Sequence, residues 1–202
     1  MPEIPPSHRR QFSGSPAASA GAVDLSYAEL HCKTNFSFLE GASHPDELVA
    51  RAAALGYQAL AVTDRNTLAG VVRAHAAARQ YGLPLVIGAE ITPDDAPPVV
   101  LWTTDRASYG RLSRLITLGR RRAPKGEFQV SLADVAAHAE GLLAGVVSPP
   151  GELADLDSLA RYRQCFGDRC HLLAELFLDG DDHQRLDRLA HRAHEAGLPL
   201  VA

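Results

Sequence analysis

The sequence has no long hydrophobic run: nowhere among its 202 residues does an apolar stretch approach the roughly 20 positions of a bilayer-spanning helix. No membrane partner is expected on that ground. Cysteine is equally scarce, with only Cys32, Cys165 and Cys170, too few and too irregular for a disulfide framework. Cys165 and Cys170 are spaced more widely than zinc knuckles require, and no second pair exists. The amino terminus lacks the apolar core of a secretion signal, and a cytoplasmic location is expected. Charge of one sign is missing too: 20 Lys and Arg stand against 24 Asp and Glu, a formal net of -4. That excludes a protein coating nucleic acid by bulk electrostatics and leaves open a local basic patch.

What is present is enough apolar material for one domain with a real core, 46% of the chain. Residues 1–24 are rich in Pro, Ser, Gly and Ala without an apolar period and read as a disordered tail, His8-Arg9-Arg10 included. Residues 25–202 read as a single domain. From Tyr27 onward a short apolar strand, a polar turn and an amphipathic helix recur. Strands are expected at Ala28–Cys32, Ala59–Val62, Leu85–Ile87, Val99–Trp102, Leu142–Val147 and His171–Phe177. Between them lie helices, the first capped by Ser43 with Pro45, Asp46 and Glu47 in its opening turn. Others follow at about 69–80, around Leu112–Leu118, from Ser131, at about 153–164 and at about 182–195. Gly82-Leu83-Pro84-Leu85-Val86 reappears as Gly197-Leu198-Pro199-Leu200-Val201, each time a helix stop handing the chain to a buried strand. Six or seven such units predict a barrel-like α/β fold with parallel strands, and a chain ending in mid-strand looks unfinished.

In βα folds chemistry gathers past the carboxyl ends of strands. There the sequence places His31, Lys33, Glu40 and His44 in the first loop, Asp64 and Arg65 in the second, and Glu90 at the third. Two readings compete. Histidine and carboxylates from separate loops suit a multinuclear metal site activating water for phosphoester hydrolysis. Against this, Lys33 and Arg65 are cations that pair naturally with Glu40, Asp64 or Glu90 and leave a metal-free polar network. His75, His138, His191 and His194 are single histidines on helix surfaces, while Trp102 and Phe177 read as core. Arg111, Arg114, Arg120, Arg121, Arg122 and Lys125 are either a solvated basic loop or a nucleic-acid contact.

The stretch from Leu30-His31-Cys32-Lys33 to Ser43-His44-Pro45, with Ala61-Val62-Thr63-Asp64, Leu68-Ala69-Gly70-Val71-Val72 and Ile87-Gly88-Ala89-Glu90, resembles the PHP (polymerase and histidinol phosphatase) domain. It is most similar to the amino-terminal domain of error-prone bacterial DNA polymerases of the C family, related to the replicative alpha subunit; the basic loop Gly119–Gly126 fits that branch. The resemblance implies a distorted (β/α)7 TIM-like barrel, incomplete at the C-terminus. It also implies a His-x-His motif of which His31 remains while Lys33 replaces the second histidine. The Thr-Asp-His motif survives as Thr63-Asp64-Arg65. His31, Glu40, Asp64 and Glu90 are then vestigial metal ligands, with Lys33 and Arg65 as the disrupting substitutions. No cofactor is expected, or a divalent Zn, Mn or Fe ion if the site still works.

The function so implied is a catalytically degenerate structural or partner-binding domain of a polymerase in DNA replication and translesion repair. Its partners would be the polymerase core, DNA and proteins of the translesion machinery, with Arg120, Arg121, Arg122 and Lys125 as nucleic-acid contacts. The alternative is a stand-alone metal-dependent phosphoesterase of weak activity. A barrel open at one sheet edge is expected to associate, which the oligomeric state of the purified chain would read out.

Overall fold

The computed structural model describes residues 27–149, 151–178 and 180–201; the expected tail at 1–24 lies outside them. The order of elements is β1 (Ala28–Cys32), α1 (Pro45–Ala54), β2 (Ala59–Val62), α2 (Val71–Tyr81), β3 (Leu85–Ile91), β4 (Val99–Thr103) and α3 (Arg106–Arg122). Then come α4 (Leu132–Ala137), β5 (Leu142–Val146), α5 (Leu156–Phe166), β6 (Cys170–Leu173), α6 (Asp182–Ala196) and β7 (Leu200–Val201). Local chemistry accounts for the boundaries. Pro45 opens α1 with its φ already helical, and the Glu47 carboxylate reaches back to accept the His44 N–H at 2.9 Å. The cap is therefore His44, one residue later than expected. The two Gly-Leu-Pro repeats do stop helices: Gly82 and Gly197 close α2 and α6 at φ 68 and 62, left-handed values that cost glycine little. Asp155 caps α5 by accepting the Ser158 N–H at 2.9 Å, so this helix begins at Leu156.

Seven strands form one sheet in sequence order, β1 to β7. The expectation of parallel strands throughout is corrected at β4, which runs antiparallel to both neighbours, with Glu90 opposite Val100 and Leu101 opposite Ala144. The reason is the short link from Ile91 to Val99. A parallel crossover needs about a dozen residues, usually helical, whereas this link is shorter and rich in proline. The other pairings are parallel.

The sheet curls into a half-barrel. One apolar cluster joins Leu30, Ala61, Val86, Val100, Trp102, Leu143, Leu173 and Val201, drawing side chains from all seven strands to a common interior. Trp102 Nε1–H on β4 donates to the Leu30 carbonyl on β1 at 2.8 Å, a bond possible only because nonadjacent strands face each other. Outside the sheet, Val49, Ala52, Ala74 and Ala78 seat α1 and α2 on Leu60 and Val62. Leu112, Leu115, Leu159, Tyr162 and Leu189 seat α3, α5 and α6 on β3 to β6. Trp102 is core, as expected, but Phe177 is 44% exposed, a correction. β6 ends at Leu173, so residues 174–177 have left the sheet, and the Phe177 ring lies under the Arg185 guanidinium at 5.0 Å.

Gly145 on β5 makes room for the Trp102 ring. A Cβ there would strike that ring and lie 2.8 Å from Leu173 Cγ. Gly145→Ala is predicted to destabilise the fold by about 1–3 kcal/mol, the usual cost of overfilling a close-packed interior. Urea unfolding followed by the fluorescence of Trp102, the chain's single tryptophan, reads this directly, and an unshifted midpoint would contradict the interior described.

Candidate functional site

The carboxyl ends of β1, β2, β3 and β6 open onto one mouth of the half-barrel, and four loops meet there. Asp64, directly after β2, is 1% exposed and holds the first two loops together. Its Oδ1 accepts the Thr34 N–H and the Ser37 hydroxyl, each at 2.7 Å, and its Oδ2 accepts the Thr34 hydroxyl at 2.8 Å. The Arg65 N–H then donates to Ser37 Oγ at 3.0 Å. Asn66, at φ 53, donates from Nδ2 to Thr92 Oγ1 at 2.7 Å and accepts the Thr92 N–H at 3.1 Å, tying the second loop to the end of β3. Ladder bonding accordingly runs past β2, with the Asn66 N–H on the Glu90 carbonyl at 2.7 Å. Glu90 therefore sits within β3 rather than beyond it.

The Glu90 side chain, 2% exposed, is the centre of an ion-pair network. Its Oε1 accepts Arg65 Nε–H at 2.9 Å, and its Oε2 accepts Lys33 Nζ–H at 2.7 Å. His31 Nε2 lies 3.1 Å from the same Oε2 but off the line of a hydrogen bond, whereas His31 Nδ1 is bonded to Glu175. Glu40 completes the ring, accepting Lys33 Nζ–H at 2.7 Å and pairing through Oε1 with Arg65. Three cations and three carboxylates thus neutralise one another across β1, β3 and the loops after β1, β2 and β6.

Protonation follows the geometry. Burial would push the His31 imidazole down, but Glu175 and Glu90 outweigh it and raise its pKa from 6.5 to about 9. Burial likewise opposes ionisation of Glu90, yet His31, Lys33 and Arg65 hold it ionised, lowering its pKa from 4.5 to about 2. Lys33 resists the same desolvation because Glu40 and Glu90 raise its pKa, so it stays an ammonium.

This donor set does not fit a divalent metal. Both oxygens of Glu90 are occupied by cations, Lys33 has no lone pair to offer, and Asp64 is saturated by hydroxyl and amide donors. Among the described residues no three His, Cys, Asp or Glu side chains form a group able to hold a metal ion. Of the predicted residues the structure brings His31, Lys33, Glu40, Arg65 and Glu90 together, with Asp64 beneath them bracing the loops. His44 stands apart as an exposed cap, and His75, His191 and His194 are exposed on helices. Glu175 was missed. Its signal was its place past the sixth strand, the rule applied to the first three strands but not carried to the sixth.

The basic loop divides. Arg122 makes two hydrogen bonds to Asp134, at 2.6 and 3.1 Å, and Arg120 donates to the Asn66 and Glu127 carbonyls while lying 5.6 Å over the Phe128 ring. Arg121 and Lys125 remain exposed.

The model of the PHP domain matches residues 29–181, strands and mouth included. The chain belongs to the PHP domain family. A curated relative from Rhodopirellula baltica named error-prone DNA polymerase is 46% identical over 189 residues, covering 88% of this chain and 16% of its own length. Relatives of the same name from Aromatoleum aromaticum and Methylococcus capsulatus are 49% and 48% identical over 95% and 92% of this chain. The chain spans only 16–18% of the length of these three relatives. Among solved structures, a candidate metal-dependent phosphoesterase from Bifidobacterium adolescentis aligns at TM-score 0.60 and 18% identity over 87% of this chain and 86% of its own. An amidohydrolase from Chromobacterium violaceum aligns at 0.56 and 19% over 86% and 84%. These two share the fold. In this PHP domain the mouth is closed by ion pairs.

Two outcomes are predicted. Glu90→Gln removes the negative charge that faces His31, Lys33 and Arg65 and is expected to cost about 3–5 kcal/mol in chemical denaturation, the range for breaking one side of a buried pair. The pH dependence follows from linkage. His31, raised from 6.5 to about 9, contributes stability fully below pH 6.5 and loses it as pH climbs through about 9. Glu90, lowered from 4.5 to about 2, contributes fully above pH 4.5 and loses it as pH falls through about 2. Melting temperature should therefore peak between pH 4.5 and 6.5, and His31→Gln should flatten the alkaline limb; an alkaline limb unchanged by that substitution would contradict the protonated bridge.

Proposed function

We propose that this chain is the PHP portion of an error-prone DNA polymerase and serves there as a structural or partner-binding domain whose hydrolytic site has lapsed. The observation that carries the reading is Lys33 Nζ, 2.7 Å from both Glu90 Oε2 and Glu40 Oε2, an ammonium where a metal would need a lone pair. The identity of 46–49% to relatives named error-prone DNA polymerase supports the polymerase context. In that context the partners are the polymerase core and DNA, the process is translesion synthesis, and the location is cytoplasmic. No described helix is long and apolar enough to cross a membrane, which accords with this.

Without metal ligands the site cannot lower the pKa of a bound water, so the ion pairs fix loop register instead of activating a nucleophile. The rival reading, weak phosphoester hydrolysis, draws on His31, Glu90 and Glu175 converging from three elements. Elemental analysis of the purified chain for zinc, manganese and iron separates the two, together with assays on a phosphomonoester and on single-stranded DNA ends. The expected result is substoichiometric metal and no turnover, while Lys33→His with Arg65→His gains calorimetric metal binding. Stoichiometric metal with turnover abolished by His31→Ala and by Glu90→Ala would overturn the proposal in favour of an active phosphoesterase.

A further inference from the structure

Helix α3 is strongly charge-segregated. Its 17 residues include six arginines and no acid, in a chain of net charge -4. Three of the six are committed elsewhere: Arg111 pairs with Glu140 at 2.6 Å, Arg122 with Asp134 at 2.6 Å, and Arg120 serves the Asn66 and Glu127 carbonyls. Among the described residues Arg106, in the first turn, has no acid within ion-pair distance, and neither do Arg114 and Arg121. The last two are seven positions apart and so share one face of the helix, about 10 Å apart along its axis. With Thr117, Leu118, Arg122 and His138 they line an open groove of about 610 Å³.

His138, at the carboxyl end of α4, has Nδ1 2.8 Å from the Asp134 carbonyl, which places a proton on Nδ1 and leaves Nε2 as its available atom. No acid lines the groove, and the two that pair with α3, Asp134 and Glu140, are matched by Arg122 and Arg111. The surplus is therefore positive. Arginines in the last turn offset the helix dipole, which accounts for Arg121 and Arg122 but not for Arg114, two turns earlier.

We propose that this groove binds the phosphate backbone of single-stranded DNA. Arg114 and Arg121 supply planar forks matched to phosphate oxygens, and the Leu118 and Thr117 side chains between them supply an aliphatic floor for a sugar or an unstacked base. The inference rests on the polymerase reading for its choice of anion. It relocates the nucleic-acid contact from the loop as a whole to one face of α3, because Arg120 and Arg122 are held by the protein itself.

The test is fluorescence anisotropy of a short labelled oligothymidylate with the purified chain, over a range of salt. Arg114→Gln with Arg121→Gln is expected to weaken binding about tenfold or more and to reduce the slope of log K against log salt by about 1.4, two single-strand phosphate contacts. Both side chains are unpaired, so the thermal melt should not move. Arg51→Gln with Arg79→Gln, on α1 and α2, is the control expected to leave affinity unchanged. No binding by the wild-type chain, equal loss in the control, or tighter and equally variant-sensitive binding of labelled polyglutamate would overturn the proposal. The two readings fail separately: stoichiometric metal removes the lapsed-site reading and leaves the groove, whereas unaltered DNA binding by the double variant removes the groove and leaves the lapsed site.

Discussion

An ionised carboxylate at the bottom of a barrel mouth cannot stay there unpaired, and Glu90 is such a group. Its desolvation is large, and it remains charged only because His31, Lys33 and Arg65 crowd its two oxygens. Each partner arrives from a different direction. β1 brings His31, the loop after it brings Lys33, and the loop after β2 brings Arg65. Glu40 and Glu175 then balance the excess positive charge. The result ties the ends of four strands together at one place, and the Asp64 hydroxyl and amide bonds beneath it fix the loops so that the cations can reach.

The same arrangement decides the chemistry available. A hydrolytic metal centre needs neutral imidazole and carboxylate lone pairs aimed at a shared point. Here the imidazole is protonated on both nitrogens and the shared point is filled by an ammonium and a guanidinium. Such a network adds little net stability over an apolar mouth, because desolvation consumes most of the attraction. What it does is join β1, β3 and the loops after β1, β2 and β6 through shared partners.

Charge is segregated elsewhere for a different reason. The mouth balances cations against anions inside the protein, whereas α3 concentrates six arginines and, among the described residues, leaves Arg106, Arg114 and Arg121 unmatched, the last two on one face. The chain's overall net charge of -4 conceals both.

Much of the fold was written locally. Strand and helix positions followed from apolar period and from Pro45, Gly82 and Gly197, and the polar residues of the first three strand ends marked the mouth. Those signals lie within a few residues of the structure they specify. The reversal of β4 was decided by a link too short for a crossover, the exposure of Phe177 by the early end of β6, and the partnership of His31 with Glu175 by curling of the sheet across 144 residues. Sequence by itself determined that histidine, lysine, arginine and acids would gather at strand ends. Only the tertiary structure decided which carboxylate each cation would hold, because a buried charge chooses its partner by distance in space and a linear chain does not record that distance.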